Sequence, residues 1–235
     1  MFDLRSSGRP GGIVNALILD TETTGIEDPH PVEIAWLRLQ GPNDLSAEQM
    51  FSCRFKPGKP ITLGAMATHH IRDEDVTDCE SHTTFRLPDG VEYLIGHNID
   101  YDWSAIGKPD VKRIDTCAFS RKLWPQADSH TQSAMLYLLE RSRAREWLRG
   151  AHCASVDAYN CFRLLKHILK ALGDPTTWEA VYALSEAARI PEVMPFGKHK
   201  GVRIADVPPD YKAWLLGQPG IDPYLATALR ARAVS

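Results

Sequence analysis

The run Ala16-Leu17-Ile18-Leu19-Asp20 constrains this chain most, because its apolar residues follow one another without a break and end in a carboxylate. A half-exposed strand alternates apolar and polar residues, whereas an unbroken apolar run reads as a central strand buried on both faces. Glu22 follows two residues later. With a period of two, Asp20 and Glu22 project to the same side of the sheet, at and just past the end of that strand. Neighbouring carboxylates repel, and a cation or a proton between them lowers the cost. Taken alone, the pair also reads as an exposed turn ahead of Thr23-Thr24-Gly25.

Residues 32–39 and 51–55 read as further strands, the second from the alternation of Phe51, Cys53 and Phe55, joined by the turn-rich Gly41-Pro42-Asn43-Asp44. Three strands in succession imply an antiparallel meander. Residues 91–95 form another apolar run leading into Gly96-His97-Asn98, and residues 113–116 make a short fifth strand. Helical spacing follows over residues 116–123, 131–140, 154–172 and 177–188, with a shorter helix starting near Asp100. Strands first, then strands alternating with helices, give an α/β fold with a mixed five-stranded sheet flanked by helices. The Gly-, Ser- and Arg-rich residues 1–13 read as an N-terminal extension and residues 14–190 as the main domain. A linker with two prolines leads into a small module, residues 191–235, with its own turn, a short strand and two short helices.

The helix predicted from Ala154 changes the weight of Asp20 and Glu22. Its apolar face, Cys161, Leu164, Leu165, Ile168, Leu169 and Leu172, repeats at three and four residues, and four residues back from Cys161 lies Asp157. A carboxylate therefore sits on the core-facing stripe in the first turn. The helix macrodipole accounts for the first turn but not for the inward face. His152 falls on the loop at the mouth of the same helix, and Asp102 follows the strand-ending Gly96-His97-Asn98, although Asn98 and Asp100 also suit helix capping. Four carboxylates at strand ends and helix starts, without cysteine partners, favour two Mg²⁺ or Mn²⁺ ions over zinc. Two such ions activate water and stabilise both oxygens of an in-line displacement at phosphorus. A histidine near that water can take its proton.

In this order, Asp20-Thr21-Glu22-Thr23, Gly96-His97-Asn98…Asp102 and His152…Asp157 resemble the three exonuclease motifs of the DEDDh family. The His-x-x-x-x-Asp spacing resembles its histidine subclass. Residues 61–71, Arg121-Lys122-Leu123-Trp124-Pro125 and Pro195-Phe196-Gly197-Lys198-His199-Lys200-Gly201 are also similar to members of that family, so that the likeness spans roughly residues 16–216. The resemblance implies a ribonuclease-H-like fold and 3′–5′ hydrolysis of DNA, or of RNA, to nucleoside monophosphates. It implies that Asp20, Glu22, Asp102 and Asp157 hold two divalent ions and that His152 is the general base. Thr23, Thr24 and Gly25 would contact the terminal nucleotide, with His97 and Asn98 in support. The chain departs from the family at Asp100-Tyr101, where relatives often carry a small residue and then Phe. A polymerase proofreading subunit, with a polymerase as partner, is a rival within the enzyme class, and a catalytically silent nucleic-acid-binding module is one outside it.

Composition narrows the setting. Net charge is −3, yet residues 193–235 carry six basic against three acidic residues, so the body is acidic and the tail basic. That asymmetry suits a carboxylate metal site plus a polyanion contact, with Lys198 and Lys200 on the nucleic-acid backbone; solvated lysines on a tight turn are the alternative. Arg141, Arg143, Arg145 and Arg149 make a second basic run before His152, read as a solvated helix end, with a phosphate-contacting role beside the proposed site as the alternative. His69-His70 lacks a third ligand and reads as structural. Met135, Leu136, Leu138 and Leu139 read as core, as do most of the six tryptophans, although an exposed one could stack a base. Five cysteines without C-x-x-C spacing read as reduced thiols. No apolar run reaches the ~18–20 residues of a membrane span, and the first ten residues lack the apolar core of a secretory signal. The expected setting is cytoplasmic, without membrane contact.

Overall fold

The computed structural model describes residues 16–43 and 45–231. The N-terminal extension expected at residues 1–13 lies outside the described residues, as do Asp44 of the predicted turn and Arg232 of the basic tail.

In chain order, β1 (Ala16–Thr23), β2 (Pro31–Leu39) and β3 (Ala47–Arg54) precede α1 (Leu63–His69) and β4 (Tyr93–Gly96). Then come α2 (Ile99–Ala105), β5 (Lys112–Asp115), α3 (Thr116–Leu123), α4 (Gln132–Leu139) and α5 (Arg141–Trp147). The chain continues through α6 (Ala154–Ala171), α7 (Trp178–Arg189), α8 (Pro209–Leu216) and α9 (Pro223–Arg230). The sheet has five strands in the order β3-β2-β1-β4-β5. β1 to β3 pair antiparallel as a meander, while β4 lies parallel to β1 and β5 parallel to β4. This is the mixed sheet that the order of the elements predicts.

β1 is the central strand, and its two faces serve two cores. Ala16 and Ile18 pack with Leu164, Leu165, Ile168 and Phe119 from the helices on one face. Leu17 and Leu19 pack with Ile34, Leu94 and Ile99 on the other. Both sets are essentially shielded from water, and each leucine, isoleucine or phenylalanine among them contributes roughly 1.5–3 kcal/mol through burial.

Two helices differ from the sequence expectation. α1 is seven residues long with Gly64 inside it, too short for a periodic signature; it is held by Thr62, whose hydroxyl accepts the Ala65 N–H. α5 buries only Ala144, so it has no apolar stripe to read. Residues 192–204 form a tight turn: Met194 N–H donates to the Val202 carbonyl, Ile204 N–H to that of Glu192, and Val193 bridges Arg203 antiparallel. Beyond it, Met194, Ile204, Val207, Leu215, Leu225 and Leu229 close a separate small core. All five cysteines are free thiols. Among the described residues, no helix is long and apolar enough to cross a membrane.

Candidate active site

Asp20 and Glu22 prolong the alternation of Ala16 and Ile18, so both carboxylates face the helix layer that carries α6. β1 does not end at Asp20, as its sequence implies, but runs on to Thr23, with Thr21 opposite Ile34 and Glu22 opposite Glu33. The polar sequence Thr21-Glu22-Thr23 looks like a turn, yet alternate β-branched residues pair well, and the ladder with β2 carries them. The carboxylates thus stand on rigid sheet backbone.

α6 delivers the third acid. One carboxylate oxygen from each of Asp20, Glu22 and Asp157 lies within 4.8 Å of the others. Asp157 is oriented by several donors. The His152 N–H donates to its Oδ2 at 2.7 Å, and the side-chain amides of Gln132 and Asn160 each donate to Oδ1 at 3.4 Å. His152 has a φ of 67°, in the left-handed region that non-glycine residues visit at a cost. Its bond to Asp157 compensates for that strain, and the imidazole is left exposed at the mouth of α6.

Asp102 reaches the same region from the other face of β1. Its Oδ1 accepts from the Thr21 amide at 2.9 Å and from the Thr21 hydroxyl at 2.8 Å. Asp100, two residues earlier, turns away: Arg113 lies 2.6 Å and Arg189 2.9 Å from its carboxylate. The extra acid of this segment is therefore neutralised by arginines rather than added to the cluster.

The electrostatics follow from crowding. Burial and then the charges of Asp102, Asp157, Glu22 and Glu33 raise the Asp20 pKa well above the usual carboxylate range. Burial and then Asp157, Glu33 and Asp102 push Glu22 up to about 8. Asp102 rises to about 7 through burial, although the bonds from Thr21 oppose this. Burial raises Asp157 too, against the His152 bond. Acids that hold protons this tightly suit a site that exchanges them for a cation. The cluster consists of hard oxygen donors alone, which fits Mg²⁺ or Mn²⁺ and not a thiolate-bound zinc.

The remaining expected residues take varied positions. Thr24 is fully buried, its hydroxyl accepting the His30 N–H at 3.2 Å, so its side chain shapes the loop. Thr23 is buried, and its hydroxyl meets the Tyr101 hydroxyl, which also donates to the Gly25 carbonyl at 3.0 Å. The Phe-to-Tyr departure at 101 thus ties α2 to the segment after β1. Gly25 has a φ of 147°, and a Cβ there would lie 3.1 Å from Thr62, so the backbone stays narrow at this edge. The ring nitrogens of His97 lie 3.1 Å from the Thr116 hydroxyl and 2.8 Å from the His130 carbonyl; it braces the loop. Asn98 is exposed in a left-handed conformation with no side-chain cap, and its N–H donates to Asp115. His69 is buried with Nε2 3.1 Å from the Thr23 carbonyl, a structural role, while Lys198 and Lys200 are exposed on their turn.

Sequence reading missed Glu33, Gln132 and Asn160, all of them neighbours of the acids. Glu33 is buried opposite Glu22, its Oε2 accepting the Ala154 N–H at 2.9 Å and its Oε1 3.7 Å from Arg54. It joins β2 to the first turn of α6. Glu33→Ala leaves that N–H buried and unpaired, with an expected loss of about 1–3 kcal/mol and lower turnover as Asp157 shifts. Glu33→Gln keeps an acceptor and recovers most of both. Thermal melts and turnover of the two variants test this; equal, mild effects would show that Glu33 does not hold the helix.

The chain has a ribonuclease-H-like architecture, and its fold and acidic site are like those of the 3′–5′ exonucleases of the DEDDh type, which are hydrolases. Among solved structures, exonuclease X in complex with 5′-overhanging duplex DNA is 28% identical, with a TM-score of 0.60 over 72% of this chain and 99% of that one. The nuclease domain of 3′hExo, a DEDDh family member bound to rAMP, shares the fold at 14% identity and a TM-score of 0.53, over 69% of this chain and 95% of that one. E. coli exonuclease I shares it at 15% identity and a TM-score of 0.54, over 75% of this chain and 44% of that one. One family model, described as "Putative quorum-sensing-regulated virulence factor", matches residues 184–221 only. No curated protein matches in sequence.

Proposed function

We propose that the chain removes nucleoside monophosphates from the 3′ end of DNA, with a specificity like that of exonuclease X. The observation that carries this reading is the convergence of Asp20, Glu22 and Asp157 within 4.8 Å, from a central strand and a helix. Asp20, Glu22 and Asp157, with Asp102 beside them, would hold two Mg²⁺ or Mn²⁺ ions. Bound there, the ions would make a water easier to deprotonate and would offset charge on the attacking and leaving oxygens.

The chain's own residues do the rest. His152, exposed at the mouth of α6, accepts the proton of the attacking water; its backbone N–H, bonded to Asp157, fixes the residue next to that acid. Thr23 and Gly25, fixed by Tyr101, present a narrow backbone edge to the terminal nucleotide, and Asn98 flanks it. Thr24 and His97 support these groups from beneath. Lys198 and Lys200 meet the backbone of the strand farther out. The exonuclease domain spans residues 14–190 and the module residues 191–235.

Matched DNA and RNA oligonucleotides, labelled at either end and incubated with Mg²⁺, Mn²⁺ or chelator, test the reading. Stepwise mononucleotide release from the 3′ end of DNA, abolished by chelator, is the expected result. Preferential loss of RNA would replace the DNA assignment, and degradation in chelator would remove the metal mechanism. Co-purification of a stoichiometric polymerase would point to a proofreading subunit.

A further inference from the structure

The C-terminal module closes its core with Met194, Ile204, Val207, Leu215, Leu225 and Leu229, and leaves two large aromatic side chains out of it. Trp214 is 55% exposed and Phe196 49%. A single exposed aromatic needs no explanation. Trp214 belongs to a row of rings, and Phe196 adjoins the turn that packs on that row.

The Tyr211 ring lies 5.4 Å from that of Trp214, one turn along α8, and 4.6 Å from His199, edge to face. Gly197 has a φ of 74°, and a Cβ on it would come within 2.7 Å of the Tyr211 hydroxyl. The turn carrying Phe196, Lys198, His199 and Lys200 is therefore packed directly onto Tyr211, and a side chain at position 197 would strain the backbone and displace the Tyr211 hydroxyl. Lys198 and Lys200 alternate with His199 along this turn, both exposed, and neither forms an ion pair among the described residues. The module is anchored to the rest of the chain. The Tyr224 hydroxyl donates to Glu186 at 2.9 Å, and Arg189, paired with Asp100 on α2, lies 5.2 Å from the Tyr224 ring.

We propose that His199, Tyr211 and Trp214, with Phe196 beside them, form a stacking platform for single-stranded nucleic acid, with Lys198 and Lys200 on its phosphates. The platform rests on the nucleic-acid reading of the acidic site and assigns the module its substrate class. Charge selects the occupant: the basic tail of an otherwise acidic chain attracts a polyanion. Aromatic faces select the strand form, because unpaired bases offer their faces and paired ones do not. The platform holds the strand while the 3′ end is cut elsewhere, so longer strands stay bound between cuts.

The test uses the full chain and a 5′-labelled 20-nucleotide DNA strand, with anisotropy read in chelator and turnover in Mg²⁺. The Phe196→Ala/Trp214→Ala double variant should weaken binding of the strand roughly 10- to 100-fold, while binding of a blunt duplex changes little. Its kcat/KM should fall far more on the 20-mer than on a dinucleotide. Trp214→Tyr, which keeps a ring, should restore most of the affinity. Lys198→Ala/Lys200→Ala should lower the salt slope by roughly 1.4. Unchanged strand affinity in the folded double variant overturns the platform, as does an equal loss on duplex. Binding is read without metal, so a chain that stacks strands but cuts nothing would overturn the nuclease reading and leave the platform standing.

Discussion

Asp20→Asn should abolish Mg²⁺-dependent turnover and, in the same protein, raise the melting temperature measured in chelator. Asp20 is the most crowded acid, with Asp102, Asp157, Glu22 and Glu33 all acting on it. Its carboxylate contributes one of the three oxygens that lie within 4.8 Å. An amide of the same shape donates no charge to a cation. Losing the charge stabilisation that a bound ion supplies, roughly 4 kcal/mol, corresponds to about a 10³-fold fall in rate. Without metal the sign reverses: the amide removes a group that is costly to ionise in this setting, with an expected gain on the order of 1–3 kcal/mol. For a chain of this size that is several degrees. Turnover retained within tenfold would remove Asp20 from the site, and a lower melting temperature in chelator would contradict the repulsion described.

The second large effect links pH, metal and stability. Between the ordinary carboxylate range and the raised values, about 8 for Glu22 and about 7 for Asp102, the folded protein keeps protons that the unfolded chain has lost. Stability therefore falls as pH rises through this interval, and levels off above it. Glu22 alone is worth on the order of a few kcal/mol over that range. A cation replaces the protons, so stabilisation by Mg²⁺ should grow with pH and binding should release protons at neutral pH. Melting temperatures at pH 5, 7 and 9, with Mg²⁺ or with chelator, measure both trends. A flat profile in chelator would mean that the carboxylates are not forced together without metal.

Local sequence reading succeeds where one element carries the information. The unbroken run of β1 identifies the central strand, and the three-four spacing of α6 places Asp157 on an inward face before any fold is known. It fails where a position depends on a second element. Glu33 reads as one polar residue in an apolar strand, and only the β1–β2 register sets it opposite Glu22 and beneath Ala154. Gln132 meets Asp157 through the packing of α4 against α6, which no local spacing encodes, whereas Asn160, one turn along α6 from Asp157, is legible from helical spacing alone. Asp100 looks like a further acid for the site until Arg113 and Arg189, distant in sequence, draw it away. The Arg141–Trp147 helix escapes for a simpler reason: with one buried residue it has no hydrophobic period to detect.

The alternation along β1 makes this chemistry all-or-none. Asp20 and Glu22 face one side while Thr21 holds Asp102 on the other, so a shift of a single residue would present threonines where acids are needed. No intermediate register carries half a site. Selection can adjust the rim, the turn lysines and the aromatic row by small steps, but the central strand offers it only two outcomes, a nuclease or a scaffold.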